Sequence, residues 1–309
     1  MGELYLDHKF NLDFIGVFMR LNDNLLGAAL MTCCVLAYVL NDAVMKLLFA
    51  DIDFFQAIFL RGLVSLPPIL ILALMTKTLL QKYSTKNQRL IIIRILAEIG
   101  TTVTFLTALK HMPLANVTAI LQSLPLAITM AAAIFLGEPV GWRRWSAICL
   151  GFTGVLIIIR PGLAGFNSYS LLALSAVLLL TVREISTRQL DKKIPTVTVA
   201  LSTTLGITAF AALMLIGTEW AEINFVSWSL IIAAAAAVTV ATLLSVVAMR
   251  TGDIGFVSPF RYTSLIGAIG LGILLFGEWP DGITLLGAAI IAFAGIYSLY
   301  REQIFNKNV

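Results

Sequence analysis

The sequence predicts an all-α integral membrane protein: ten transmembrane helices arranged as two inverted five-helix repeats. Three observations carry that prediction. Hydrophobic residues make up 59% of the 309-residue chain and charged residues 12%, where ordinary soluble domains carry about a quarter charged. Ten apolar stretches long enough to span a bilayer follow one another with short polar gaps between them. A phrase also recurs 140 residues on, as Phe135-Leu136-Gly137-Glu138-Pro139 and Leu275-Phe276-Gly277-Glu278-Trp279-Pro280.

The elements follow in order. Residues 1–24 are mixed in charge, without a basic start leading to a small-residue cleavage site, and read as a cytoplasmic tail with no removable signal. Span one (25–46) carries Asp42, span two (53–76) carries Arg61, and span three (90–110) carries Arg94, Glu98 and Phe105. The gap before span three, Lys77 to Arg89, is too short to hold a catalytic domain. Span four (113–137) contains Gln122, Ser123 and Pro125, and span five (142–160) ends on Arg160, closing a first repeat over 25–160. Spans six (168–188), seven (195–216), eight (226–250), nine (253–277) and ten (282–301) form a second repeat over 168–301. Residues 302–309 are a polar tail. The runs after each Gly-Glu phrase also echo one another, Phe152-Thr153-Gly154-Val155 against Phe293-Ala294-Gly295-Ile296, with a one-residue slip.

Charge sets the orientation. With both termini cytoplasmic, the inner segments hold Lys9, Arg20, Lys77, Lys82, Lys86, Arg89, Arg143, Arg144, Arg188, Lys192, Lys193, Arg250, Arg301 and Lys307. The opposite side holds only Lys46, Lys110 and Arg160, a bias of fourteen to three. Trp142 and Trp145 mark one interface and Trp220, Trp228 and Trp279 the other. Five spans per half is an odd number, so the second half enters the membrane upside down relative to the first. The net charge of +4 belongs to the loops and implies no nucleic-acid partner. Cys33, Cys34 and Cys149 fall inside spans and read as buried small hydrophobes, with no metal or redox spacing.

Ten spans in two halves, with Gly-Glu closing spans four and nine, resemble the EamA branch of the drug/metabolite transporter superfamily over nearly the whole chain. Three phrases are similar to the bacterial S-adenosylmethionine uptake group: Asn41-Asp42-Ala43-Val44-Met45-Lys46, Phe59-Leu60-Arg61, and Pro259-Phe260-Arg261-Tyr262 running on to Gly277-Glu278-Trp279-Pro280-Asp281. The resemblance implies a secondary transporter in a bacterial inner membrane, with spans five and ten at its periphery. It leaves several solutes open, since related members carry amino acids, riboflavin, carboxylates or other metabolites.

Binding chemistry is expected from polar groups the membrane makes costly. An ionisable side chain at a helix centre costs about 2.5–3.5 kcal/mol on insertion scales, so each needs a partner, water or a role. The candidate substrate residues are Arg261, Tyr262, Arg61, Glu98, Gln122, Asp42, Arg94, Phe105 and Arg183. Each has a plainer reading beside this one. Arg94 and Glu98 are four apart and pair locally, as do Asp42 and Lys46. Arg183 and the adjacent Glu184 point in different directions as interfacial charges. Gly151, Gly154, Gly267, Gly270 and Gly272 are sites of helix packing. Arg61 and Arg261 are harder to dismiss, because neither has a local acid and both are too deep for easy snorkelling. Arg261 also follows Pro259, in the place that mirrors the polar, proline-flanked stretch of span four; interrupted helices in corresponding positions point to a transporter's site.

Competing classes fare less well. His8 and His111 are the only histidines, and no GxSxG, HExxH or Gly-rich nucleotide loop occurs, so an enzyme is not expected and no cofactor is implied. A channel or assembly factor stands as the non-transporter alternative. Partners are a small-molecule solute and membrane lipid, with a proton or an exchanged metabolite as the coupled species; oligomeric state is open. The arginines favour a carboxylate-bearing solute. Glu98 and Asp42 stand ready for an ammonium or sulfonium, and Phe105 and Tyr262 for a ring.

Overall fold

The computed structural model describes residues 23–76, 83–162, 166–191, 194–251 and 254–307. Of the tail expected over residues 1–24, residues 1–22 lie outside them, as do the charges at Lys9, Arg20, Lys77, Lys82, Lys192 and Lys193, while Asp23 and Asn24 already belong to span one. The described residues form ten helices long and apolar enough to cross a membrane. Spans one to three are Asp23–Asp51, Phe54–Met75 and Thr85–His111. Span four is broken into Leu114–Leu121 and Leu124–Phe135, and spans five to eight are Trp142–Ile159, Tyr169–Arg188, Thr196–Met214 and Phe225–Arg250. Span nine is broken twice, as Ile254–Val257, a 3₁₀ turn Ser258–Tyr262 and Thr263–Phe276, and span ten runs Gly282–Lys307. Residues 84–88, expected as a loop, are instead the cap and first turn of span three: Ser84 accepts the Asn87 N–H, so the helix starts before the hydrophobic stretch does. Span ten likewise continues through the polar residues after Arg301.

Ten spans with short links bring the start of span one and the end of span ten to one face, here called the termini end; the opposite face is the far end. Helices pair chiefly as one with eight, three with six, two with seven and five with ten. Exchanging each span for its counterpart five later leaves this list unchanged. Without water to drive burial, such pairs hold by close packing. Spans five and ten show it most clearly, since a Cβ on Gly154 would fall 2.8 Å from the Gly287 carbonyl oxygen. Gly270, expected to serve packing, has open space beside it. Cys34 is buried as expected, whereas Cys33 and Cys149 lie exposed on the helix bundle. Many span hydroxyls are satisfied within their own helices, as where Thr104 donates to the Gly100 carbonyl and Thr181 to that of Val177.

Packing is uneven between the ends. At the far end Met45, Leu48, Phe49, Ile52, Ile58, Leu106, Leu109, Leu114 and Ile231 form one continuous buried cluster. Toward the termini end the corresponding cluster of spans one, eight and nine is Met31, Val35, Ala248 and Val257.

Candidate functional site

The two broken helices meet. Span four stops at Gln122, whose Nε2 donates to the Arg261 carbonyl at 3.0 Å and to Ser264 Oγ at 2.8 Å. A break in a membrane helix frees backbone groups that protein or water must satisfy. Here the amide of one break satisfies a carbonyl of the other. Pro125 sits in the first turn of the second half of span four, and Pro259 in the first turn of the 3₁₀ segment, positions where a missing N–H costs little.

Arg261 stands on that 3₁₀ turn with its side chain exposed. It makes no side-chain hydrogen bond or ion pair among the described residues, although Glu184 and Cys34 lie within its electrostatic reach. Tyr262 is buried, and its hydroxyl is aimed at Gly295 of span ten, without a hydrogen-bond partner among the described residues.

The remaining charges are held differently from the local pairs expected. Arg94 does not pair with Glu98. Its Nε donates to Thr187 Oγ1 at 2.9 Å and its Nη1 to Thr203 Oγ1, fixing span three to spans six and seven. Glu98 instead accepts from Arg183 Nη1 at 2.8 Å, across to span six. Arg183 also grips its neighbour Glu184 at 2.5 Å, so the two do not point apart; the long guanidinium folds back along the helix. Around this cluster stand three guanidiniums, those of Arg94, Arg183 and Arg261, against two carboxylates. Both carboxylates go to Arg183 and Arg94 is held by two threonine hydroxyls, so Arg261 is the guanidinium of the three with no side-chain partner among the described residues.

Toward the far end a second polar group joins spans one and two. Arg61 Nη1 donates to Asn41 Oδ1 at 3.3 Å, and Asn41 Nδ2 donates to Asp42 Oδ1 at 2.9 Å. Asp42 therefore does not pair with Lys46, whose ammonium goes to Glu278 of span nine at 2.5 Å. Phe105 packs between the far-end cluster and the core around spans four, five and six. Sequence reasoning missed Asn41, Thr187 and Thr203 because neutral polar side chains give no cost signal comparable to a charge. It also missed Gln56, fully buried, which clasps the Ala221 backbone through two hydrogen bonds of 2.9 and 3.0 Å.

Outside the spans, Arg160 at the end of span five binds Asp281 at 2.5 Å, and Asp281 caps span ten by accepting the Thr284 N–H at 2.7 Å. The Arg160 guanidinium and this cap hold the Asp281 carboxyl down at about 2.

Comparisons with known proteins bear on what such an arrangement does. Residues 25–160 match the model of the EamA-like transporter family. A riboflavin transporter of Vibrio cholerae is 31% identical over 64% of this chain and 67% of its own length. An S-adenosylmethionine uptake transporter of Rickettsia bellii is 25% identical over 62% of this chain and 65% of its own. A solved crystal structure superposes with a TM-score of 0.56 at 19% identity, covering 89% of this chain and 94% of the other, a likeness of fold.

Proposed function

From the premise that the chain belongs to the EamA-like transporter family, and is thus a multi-pass membrane transporter and not an enzyme, we propose that it moves a small amino-acid-like metabolite by alternating access. The observation that carries this reading is the exposed Arg261 guanidinium, free of partners among the described residues, at the junction of two broken helices. A guanidinium offers two parallel donors to a carboxylate, and in a membrane a cation is retained only where something answers its charge. The solute's carboxylate is that answer, with Gln122 fixing the backbone that presents Arg261.

Two inverted repeats, 25–160 and 168–301, frame the site; the interchange of helix pairings between the halves supports them. The positive-inside bias supports cytoplasmic termini in an inner membrane. Glu98 and Glu184 are both occupied by Arg183, which leaves Asp42 as the intramembrane acid outside an ion pair among the described residues. The coupled species is a proton or an exchanged metabolite. A second reading, a riboflavin carrier, draws support from the higher identity to the Vibrio cholerae protein. A flavin would use the arginines and aromatic faces without an acid.

The test is counterflow in proteoliposomes, after a thermal-shift screen of amino-acid-like metabolites, S-adenosylmethionine, riboflavin and dicarboxylates. Wild-type protein should show saturable counterflow of an amino-acid-like compound. Arg261→Ala should lower it at least a hundredfold while the protein stays monodisperse, as loss of a charged hydrogen-bonding pair with the enclosed solute implies roughly 3 kcal/mol. Competition by riboflavin alone would select the second reading. Normal transport by Arg261→Ala would remove Arg261 from the site.

A further inference from the structure

The Gly-Glu phrase that closes spans four and nine enters no part of the substrate site, yet its two glutamates are in different states. At each end a left-handed glycine stops the helix, Gly137 at φ 68° and Gly277 at φ 65°. The N–H of the following glutamate then folds back onto a helix carbonyl, Glu138 onto Ala132 at 3.3 Å and Glu278 onto Gly272 at 3.0 Å. This shared turn throws each carboxylate sideways toward neighbouring spans.

At the far end the carboxylate is fully engaged. Glu278 Oε1 takes the Lys46 ammonium of span one at 2.5 Å, and Oε2 accepts the Leu114 N–H at 2.8 Å. Leu114 opens span four, so its N–H is one of the unpaired donors at the positive pole of a helix, where an anion is favoured. Lys46 also donates to the Met112 carbonyl at 2.6 Å and lies over the Phe276 ring at 4.9 Å. One carboxylate thereby ties together the ends of spans one, four and nine, with side-chain exposures of only 11% for Lys46 and 22% for Glu278.

At the termini end the counterpart is loose. Glu138 Oε1 lies 3.4 Å from Arg188 Nη1, and both side chains are about half exposed, at 46% and 48%. Arg188 ends span six as Lys46 nears the end of span one, its counterpart in the other half. Leu114 likewise has its counterpart 140 residues on, in Ile254 at the start of span nine. A second observation agrees: among the described residues the far-end core is one large cluster, whereas the buried residues of the termini-end half fall into two small ones.

We propose that Glu278 and Glu138 are the two alternating latches of the transport path, and that this conformer has the far end latched and the termini end released. Opening the far end breaks Glu278 from Lys46 and Leu114. Closing the termini end tightens the long Glu138–Arg188 contact and adds the backbone N–H at Ile254 as a second donor. The repeated phrase is thus a transport element of the same chemistry at both ends. The assignment rests on the transporter reading above.

Spin-label distance measurements test it in a background without native cysteines. Labels at Asp51 and Trp279 report the far end, and labels at Gln189 and Pro139 the termini end. Glu278→Gln and Lys46→Met should each lengthen the far-end distance and shorten the other, moving the ratio of the two conformers by roughly tenfold or more. Glu138→Gln should act oppositely, depleting whatever far-open population the wild type shows. Unchanged distances in folded Glu278→Gln and Lys46→Met, or a shift of the same sign from Glu138→Gln, overturn the latch. Should Glu278→Gln fail to fold, Lys46→Met and Glu138→Gln decide alone. Wild-type protein with no flux of any solute would sink the transporter reading, while the distance shifts would still answer for the latch.

Discussion

Arg160 and Arg301 close the fifth span of each half, and their surroundings differ by one residue type. Asp281 stands before span ten and neutralises Arg160, whereas the corresponding place before span five is Gly141. Arg301 instead faces a recess of about 190 Å³ shared with Arg143 and Arg144. The Asp281 pair has a pH signature. Its carboxyl is depressed from 3.8 to about 2 in the folded protein, so its stabilisation is complete above about pH 4 and is lost as pH falls through 2. Asp281 is 53% exposed, so the contribution is held to about 0.2–1 kcal/mol. The melting temperature of Asp281→Asn should therefore lie slightly below wild type at pH 7, with the gap closing below pH 4. A gap that persists to pH 2 would show that charge is not its source. Residues of this kind were only half legible in the sequence: Arg160 and Arg301 stood out as a matched pair, but nothing local said which had an acid.

Helix crossings belong to the next scale, where the small residues become specific. Gly154 and Gly287 face each other so closely that a methyl on either meets the other's carbonyl oxygen at 2.8 Å. Backbone cannot yield as a side chain can, so Gly154→Ala should push spans five and ten apart at a cost of about 1–3 kcal/mol. Gly270→Ala, with nothing within 4 Å, is the matched control and should melt like wild type. Equal melting of the two variants in detergent would contradict the close crossing. Among the glycines singled out for packing, the sequence could not separate these two cases. A small residue permits close approach; only the partner's position decides whether approach occurs. The broken helices were better marked, by proline beside polar residues, though Pro67 and Pro68 stand inside the unbroken span two, so proline alone does not set a break.

For the whole molecule, an even number of spans puts the start of span one and the end of span ten on one face, and the proposed orientation, drawn from the lysine and arginine bias, turns that face to the cytoplasm. With native cysteines replaced, Glu222→Cys on the far-end loop should react with an impermeant maleimide from outside intact cells. Thr85→Cys at the start of span three should react only after permeabilisation. The reverse pattern would invert the proposed orientation and with it the meaning of the two latches, though not their chemistry. In the proposed orientation, the far-end packing and the loose termini end are those of a carrier open to the cytoplasm.

Number and order of spans were determined by the sequence alone, since the bilayer demands about 20 apolar residues and self-satisfied backbone from each segment independently of the others. The sequence likewise determined where the helices break and which charges lie deep. Tertiary structure decided the partners. Lys46 lies one turn from Asp42 yet pairs with Glu278, and Glu98 lies one turn from Arg94 yet pairs with Arg183. At membrane depth the energy of an ion pair depends on separation and desolvation in three dimensions, so the carboxylate presented by a neighbouring span outcompetes the one spaced four residues away. Arg261 emerges as the guanidinium without a side-chain partner among the described residues only after those pairings, and the threonine contacts of Arg94, are made.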